Sequence, residues 1–518
     1  MDKKRSLLNV IVSIALKVLT FGAIFIVKRE LIRSLGNDIN GLNSLYTSLI
    51  GVLSIAELGI GTAITFCMYK PIVEGDKNKT AALFQLFRKI YFIIGVIVLV
   101  AGAAMLPFLP FLAKDYSSLN VNLYVTFALS VIAVVISYSY GAKTSLFNAY
   151  KDNYISTAII SGSYFAQYIL QIIVLRCTGS FEWYLACQII SVCLQWILSE
   201  VVVRIRHKDI LAIEKQSVDK ETGQLIVKNV KALFMHRIGG VLVNAADSVI
   251  ISAMIGVGVL GVYSNYTMIV TSMVSVIVLF FTPLTSVIGH MFVSNIEQTK
   301  KYFDFFYTLN FVLGTVFFLG YYAVVDSMVA LWLGEGLEVS RAIAMVITIN
   351  YFIQFMRQAV LLFRDATGTF YNDRWKPVAE GGANVILSVA LVYVFTFLFG
   401  EEYAVVGVII ATIITNILIC HIIEPYVLYR HAFNSSVRGY MLKNYICILI
   451  FVLSINILDK ILVSMDSHWL ELFVNGGISL VLSALIVGII ILVDKNFTEQ
   501  LMGFISLIKN KFKRNSSI

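Results

Sequence analysis

The residues of this chain that could do chemistry are ionisable side chains set inside long apolar runs. Lys17, Lys28, Arg29 and Arg33 lie in the first run, Glu57 in the second, His236, Arg237 and Asp247 in a later one, and Arg357 and Arg364 further on. A charge at the centre of a bilayer costs several kcal/mol unless it faces a cavity or a partner, so each needs a reason to be there. Lys17 is about ten residues into its run, roughly 15 Å deep at helical rise. Lys28 follows three turns later on nearly the same face, and Arg29 and Arg33 share a neighbouring face. Lys28, Arg29 and Arg33 are close enough to an interface to snorkel. Lys17 is too deep for that. The competing reading is a cationic stripe along a water-filled cavity, which would suit a phosphate-bearing substrate.

Glu57 sits near mid-depth, with two readings open: an ion pair with Lys17, or a protonatable group for ion coupling. His236 and Asp247 share one helical face, and Arg237 is adjacent to His236. Arg357 and Arg364 share another face, Arg357 being the deeper and the better cavity candidate. Glu380 opens its apolar run and reads as a surface carboxylate. Other chemistry is excluded by what the chain lacks. The six cysteines show no CxxC spacing and read as small buried hydrophobes, and the histidines have no HExxH pairing. There is no Walker A sequence, so the chain does not hydrolyse ATP by itself. No external loop is long enough to enclose an active site. The expectation is a non-enzyme with no cofactor and no metal.

The elements that must hold these groups are membrane helices. Hydrophobic residues make up 58% of the chain and charged residues 14%, against about 45–50% and about 25% in soluble domains. The apolar run after Lys3, Lys4 and Arg5 outlasts a signal-peptide core and reads as a retained span. At about 20 apolar residues per crossing, the chain reads as an all-α integral membrane protein with 14 transmembrane helices. Their limits are 7–33, 41–68, 87–113, 120–142, 154–176, 183–205, 232–254, 260–288, 303–325, 341–364, 377–399, 404–426, 443–463 and 470–493. The second is expected to stop at Tyr69-Lys70-Pro71.

Lys and Arg concentrate in alternate loops, such as Lys70–Lys89, Arg204–Lys231 and the C-terminal tail, which places both termini in the cytoplasm. The net charge of +9 is thus a matter of membrane side, and no nucleic-acid partner is expected. One turn occurs twice. Leu35-Gly36, Gly41, Ser44, Tyr46 and Thr47 align with Ile255-Gly256, Gly261, Ser264, Tyr266 and Thr267. The repeat gives an N-lobe at 1–205 (spans 1–6), a cytoplasmic linker at 206–231, a C-lobe at 232–426 (spans 7–12), and spans 13 and 14 with a basic tail at 427–518. Six spans per lobe make the repeats parallel, and substrate sites in repeat transporters lie at the repeat interface.

Two stretches carry a family likeness. One is Phe25-Ile26-Val27-Lys28-Arg29-Glu30-Leu31-Ile32-Arg33-Ser34-Leu35-Gly36, running into Gly41-Leu42-Asn43-Ser44-Leu45-Tyr46. The other is Leu53-Ser54-Ile55-Ala56-Glu57-Leu58-Gly59-Ile60-Gly61-Thr62-Ala63-Ile64, ending at Tyr69-Lys70-Pro71. With the span count, they resemble the bacterial capsule and O-antigen repeat-unit flippases of the multidrug/oligosaccharidyl-lipid/polysaccharide flippase superfamily. The motifs cover about the first seventy residues. The resemblance implies two six-helix lobes around a central cavity open alternately to either side of the bacterial cytoplasmic membrane. It implies an undecaprenyl-diphosphate-linked oligosaccharide as cargo, moved from inner to outer leaflet for surface polysaccharide biosynthesis, with a polysaccharide polymerase as a further partner. The matching cationic candidates are Lys17, Lys28 and Arg29, with Arg237 and Arg357 opposite. Glu57 and Asp247 are the candidates for ion coupling or an ion pair. Two rival functions are a cation-coupled multidrug exporter of the same superfamily and a membrane-embedded polysaccharide polymerase or ligase. The exporter would be expected to have an acidic, aromatic cavity, and the polymerase or ligase a sizeable external loop.

Overall fold

The computed structural model of the protein describes residues 2–57, 60–214, 216–219, 223–224, 226, 245–281 and 284–503. Among these residues the chain is helical, with no strand. Eleven of the helices are long and apolar enough to cross a membrane. The other three expected spans differ. The first is a helix, α1 (Asp2–Leu35), whose side chains are only partly described. The second is divided, and the seventh lies largely outside the described residues.

The first compact unit is Met1–Ser264. It holds α1, α2 (Asn37–Leu53), α3 (Ile60–Glu74), α4 (Lys77–Met105), α5 (Leu123–Ala149), α6 (Asn153–Thr178) and α7 (Phe181–Arg206). α5 packs against α3, α4 and α7, and α1 lies against α6. Side-chain caps fix several helix starts. Asp76 accepts from Lys79 N, Asn122 from Tyr124 N and Val125 N, and Ser180 from Trp183 N, satisfying first-turn donors that have no partner within the helix. The core beneath α4 and α5 is built from Leu83, Phe87, Tyr91, Tyr138, Leu146 and Phe147.

Two sequence expectations are corrected here. The second span is not one helix: α2 ends at Leu53 and a tighter 3-10 turn, Ser54–Glu57, separates it from α3. Nor does the chain stop at Pro71. That proline lies inside α3, which runs on to Glu74 and ends at Gly75, φ 72°. A left-handed residue closes a helix more surely than a missing N–H, and glycine adopts it without a Cβ clash.

The described part of the 206–231 segment is tied to the start of α4. Lys77 pairs with Asp209 at 2.7 Å and Lys79 with Asp219 at 3.2 Å, and Gln85 Nε2 donates to Ile213 O at 3.2 Å.

The repeated turn is legible in the backbone. Gly36 (φ 88°) joins α1 directly to α2. Gly256 (φ 146°) joins α8 (Ala245–Ile255), whose last turn is π-helical, to α9 (Val257–Phe281). The start of α9 packs on the start of α2, and the contacts are reciprocal. A methyl built on Gly41 would lie 1.8 Å from Val257 O, and one on Gly261 would lie 2.4 Å from Asn37 O. Asn37 Nδ2 donates to Gly258 O at 2.9 Å and Asn40 Nδ2 to Gly261 O at 3.0 Å.

The second unit is Asn265–Ile518, the boundary falling within α9. It holds α10 (Leu284–Ser294), α11 (Ile296–Leu333), α12 (Arg341–Met356), α13 (Gln358–Thr367), α14 (Lys376–Phe399), α15 (Ala404–Thr415), α16 (His421–His431), α17 (Arg438–Ile461) and α18 (His468–Val493). The long α11 is its hub, touching α12, α13, α17 and α18. α14 and α15 pack closely because position 407 is glycine. A Cβ there would lie 2.6 Å from Leu391 O.

Candidate functional site

Of the cations singled out by the sequence, Lys28 is held by neutral oxygens of the first unit. It lies in the second half of α1, partly buried. Its Nζ donates to Ser264 O at 3.0 Å and to Ser264 Oγ at 3.1 Å. Asn40 Nδ2 also reaches Ser264 Oγ, at 3.2 Å. Among the described residues Lys28 has no carboxylate partner. Neutral oxygens hold the ammonium in place without cancelling its charge.

Arg29 is exposed on the next face of α1. Glu30 is occupied by Arg176, at 2.7 Å. The Lys17 side chain and all of His236 and Arg237 lie outside the described residues. Asp247 is buried in α8, 8% exposed.

Glu57 sits in the 3-10 turn between α2 and α3. Tyr91 Oη of α4 donates to its Oε1 at 3.1 Å, and Tyr138 Oη of α5 approaches Ser54 Oγ at 3.4 Å. Two glycines seat the Tyr91 ring: a Cβ at Gly61 would lie 3.2 Å from Tyr91 Oη, and one at Gly141 2.9 Å from the ring. A carboxylate and two phenols from three helices therefore meet where the second span loses its regular backbone.

In the second unit Arg357 is not free. It sits at the junction of α12 and α13, and Glu424 of α16 takes its Nε at 3.0 Å and its Nη2 at 2.6 Å. Its Nη1 donates to Asn416 Oδ1 at 2.7 Å and lies 3.6 Å from Glu380. Lys376, at the head of α14, pairs with Glu424 at 2.6 Å and Glu380 at 2.8 Å. Two cations thus face two carboxylates. Glu424 is 0% exposed, and Lys376 and Glu380 are each 5% exposed. Such burial is tolerated only when each charge is paired and hydrogen-bonded. Glu380 is accordingly not the surface carboxylate that its place at a helix start suggested. Arg364 closes the cluster toward the helix end through Asp373, at 2.9 Å.

Backbone irregularities converge here. Asn416–Cys420 is a π-helical turn between α15 and α16, and Asn416 bonds the arginine at which α12 gives way to α13. π-bulges in membrane helices are often functional. Beside the cluster, His421 Nε2 lies 3.0 Å from Ile353 O and its Nδ1 3.1 Å from Asn444 Nδ2, while Tyr307 Oη donates to Asn444 Oδ1 at 3.0 Å. That pattern assigns the proton to Nε2.

Glu424, Lys376, Asn416 and His421 were not among the sequence candidates. A signal did exist. Glu424 is the lone carboxylate of an apolar stretch from Ala404 to Tyr429 that also carries Asn416 and His421.

No protein-family model matches this chain, and no curated protein matches it. Solved structures do. The chain is similar to a multidrug resistance MATE family transporter of the MOP superfamily in an inward-facing conformation, at 14% identity and TM-score 0.54, over 85% of this chain and 98% of the other. It is similar to the lipid II flippase MurJ in an inward closed conformation, at 12% identity and TM-score 0.57, over 92% of this chain and 98% of the other. At such identities the likeness is one of fold. The protein is a multi-pass membrane protein with the helical architecture of these two.

Proposed function

We propose that the protein is a flippase. It carries an undecaprenyl-diphosphate-linked oligosaccharide from the inner to the outer leaflet of the bacterial cytoplasmic membrane, for surface polysaccharide biosynthesis. Both termini face the cytoplasm, and transport is by alternating access between an N-lobe at 1–205 and a C-lobe at 232–426. The observation that carries this reading is Lys28: a cation inside a membrane helix, held by Ser264 oxygens, with no carboxylate among the described residues to cancel it. Uncancelled positive charge away from water is what a diphosphate seeks.

Lys17, Arg29, Arg237 and Arg357 are the further candidate contacts of that cationic path. Arg357 has the most constrained part. Its charge is already met by Glu424 and Glu380, so it engages cargo only if the cluster opens.

The test is complementation of a strain lacking its own repeat-unit flippase. Restored surface polysaccharide, with depletion of lipid-linked repeat units on the cytoplasmic leaflet, supports the reading. Unrestored polysaccharide from a well-expressed protein sinks it. The rival reading, a cation-coupled exporter, draws on Glu57 and on the fold shared with a multidrug transporter. It requires that the same strain gain resistance to cationic drugs instead.

A further inference from the structure

A groove of about 1170 Å³ runs up the outside of the first unit between α4, α5 and α7. Its two ends differ in chemistry. Arg88 in the first half of α4, Lys143 in the last third of α5 and Arg204 near the end of α7 all line one end, and Lys89 stands beside Arg88. Above them the walls are apolar. Phe92, Val96 and Leu99 continue the Arg88 face of α4 at helical spacing, and Ile197 and Val201 continue the Arg204 face of α7. These wall residues are exposed, Phe92 at 73% and Ile197 at 51%.

The four cations are not equivalent. Glu200 holds two of them, Lys143 at 2.6 Å and Arg204 at 2.8 Å. The Trp196 ring stands 5.6 Å from the Lys143 ammonium. Arg88 and Lys89 are exposed, and neither has an acidic partner among the described residues. One carboxylate against four cations leaves this end of the groove positive, with two cations unengaged.

We propose that this groove is a binding site for an anionic glycerophospholipid, headgroup phosphate on Arg88 and Lys89 and acyl chains along the α4 and α7 walls. Charge complementarity selects the headgroup, since juxtamembrane basic residues attract anionic lipid. Length selects the tails. From Arg88 to Leu99 the groove rises about 16 Å at 1.5 Å per residue, close to half of a roughly 30 Å hydrocarbon core. It is therefore as deep as one leaflet, the reach of ordinary acyl chains and less than that of a long polyisoprenoid. Beyond the cations, Glu200 and Gln85, the lining offers few polar groups, so a saccharide would go unsatisfied. Tyr91 and Tyr138 form part of the lining while bonding Glu57 and Ser54. The bound lipid thereby touches the residues that hold the break in the second span.

The experiment uses the full chain in phosphatidylcholine vesicles doped with brominated phosphatidylglycerol or, in parallel, brominated phosphatidylcholine. Trp196 emission is isolated by subtracting Trp196→Phe. The proposal expects Trp196 to be quenched several-fold more efficiently by the anionic lipid. Arg88→Gln with Lys89→Gln should erase that excess, by roughly fivefold in relative affinity per cation removed. Arg88→Gln alone serves if the double variant does not reach the membrane. Equal quenching by the two lipids, or an excess that survives the Gln variants, overturns the proposal. So does displacement of the brominated lipid by a trace of undecaprenyl phosphate, which would give the groove to a polyprenyl lipid instead.

Discussion

Gly41 and Gly261 occupy equivalent places in the two copies of one turn, and each accepts the backbone of the other copy where a side chain would stand. A methyl on Gly41 meets Val257 O at 1.8 Å, and one on Gly261 meets Asn37 O at 2.4 Å. Neither obstacle is a flexible side-chain tip, so the helices themselves must move. Gly41→Ala and Gly261→Ala should each destabilise the protein by about 1–3 kcal/mol or more, as overpacking does. Gly162→Ala on α6, with nothing within 4 Å, should not. Thermal midpoints of the purified variants in detergent check this. Equal midpoints for all three would show that the turn contact is not rigid.

Lys28 tests the transport reading directly. Lys28→Ala should abolish export of surface polysaccharide while the protein still reaches the membrane, and Lys28→Gln should do the same because it removes charge and keeps length. Ser264→Ala should be milder, since the carbonyl oxygen at 3.0 Å remains. Lys17→Ala and Arg29→Ala belong to the same series and should also block export. Immunoblotted membranes and quantified surface glycan are the readouts. Normal glycan in the lysine and arginine variants would remove the cationic path.

The buried cluster should respond as a unit. Glu424→Gln leaves Arg357 and Lys376 facing Glu380 alone, and stripping one partner from a buried ionic set costs about 3–5 kcal/mol. Adding Lys376→Met restores one cation to one carboxylate, so the double variant should recover part of that loss. Such non-additivity is expected of residues sharing one network. Thermal midpoints of Glu424→Gln, Lys376→Met and the double variant measure it. A double variant as unstable as the sum of its parts would mean that the four charges act independently.

How much of this could be read from the chain depended on what each signal reports. Hydropathy reports the number of residues that avoid water, so most spans were legible. It does not report backbone continuity, and so missed the turn at Ser54–Glu57, which lies inside one long apolar run. The repeat was legible because Gly36 and Gly256 do a job that only glycine does easily, and that job leaves the same spelling twice. Arg357 was visible as a deep cation, but its partners come from α14 and α16, and no local pattern announces a contact made across that much sequence. Glu380 illustrates the reverse error. A carboxylate at a helix start is usually solvated, and here Lys376 one turn earlier and Arg357 draw it inside.

Glu57 separates two roles by one substitution. A glutamine side chain could still accept the hydrogen bond from Tyr91 Oη that Glu57 accepts at 3.1 Å, so Glu57→Gln keeps that bond and removes the charge. If the carboxylate couples transport to an ion gradient, the variant should keep its thermal midpoint but lose the gradient dependence of uptake in proteoliposomes. Tyr91→Phe, which keeps the charge and deletes the hydroxyl, should keep that dependence and lower the rate. If instead the carboxylate is one half of a structural ion pair, Glu57→Gln should lower the midpoint and leave the gradient dependence untouched. We expect the first outcome. Glu57 lies in the irregular turn of its span, and a group placed there can take up and release a proton without dismantling a regular helix.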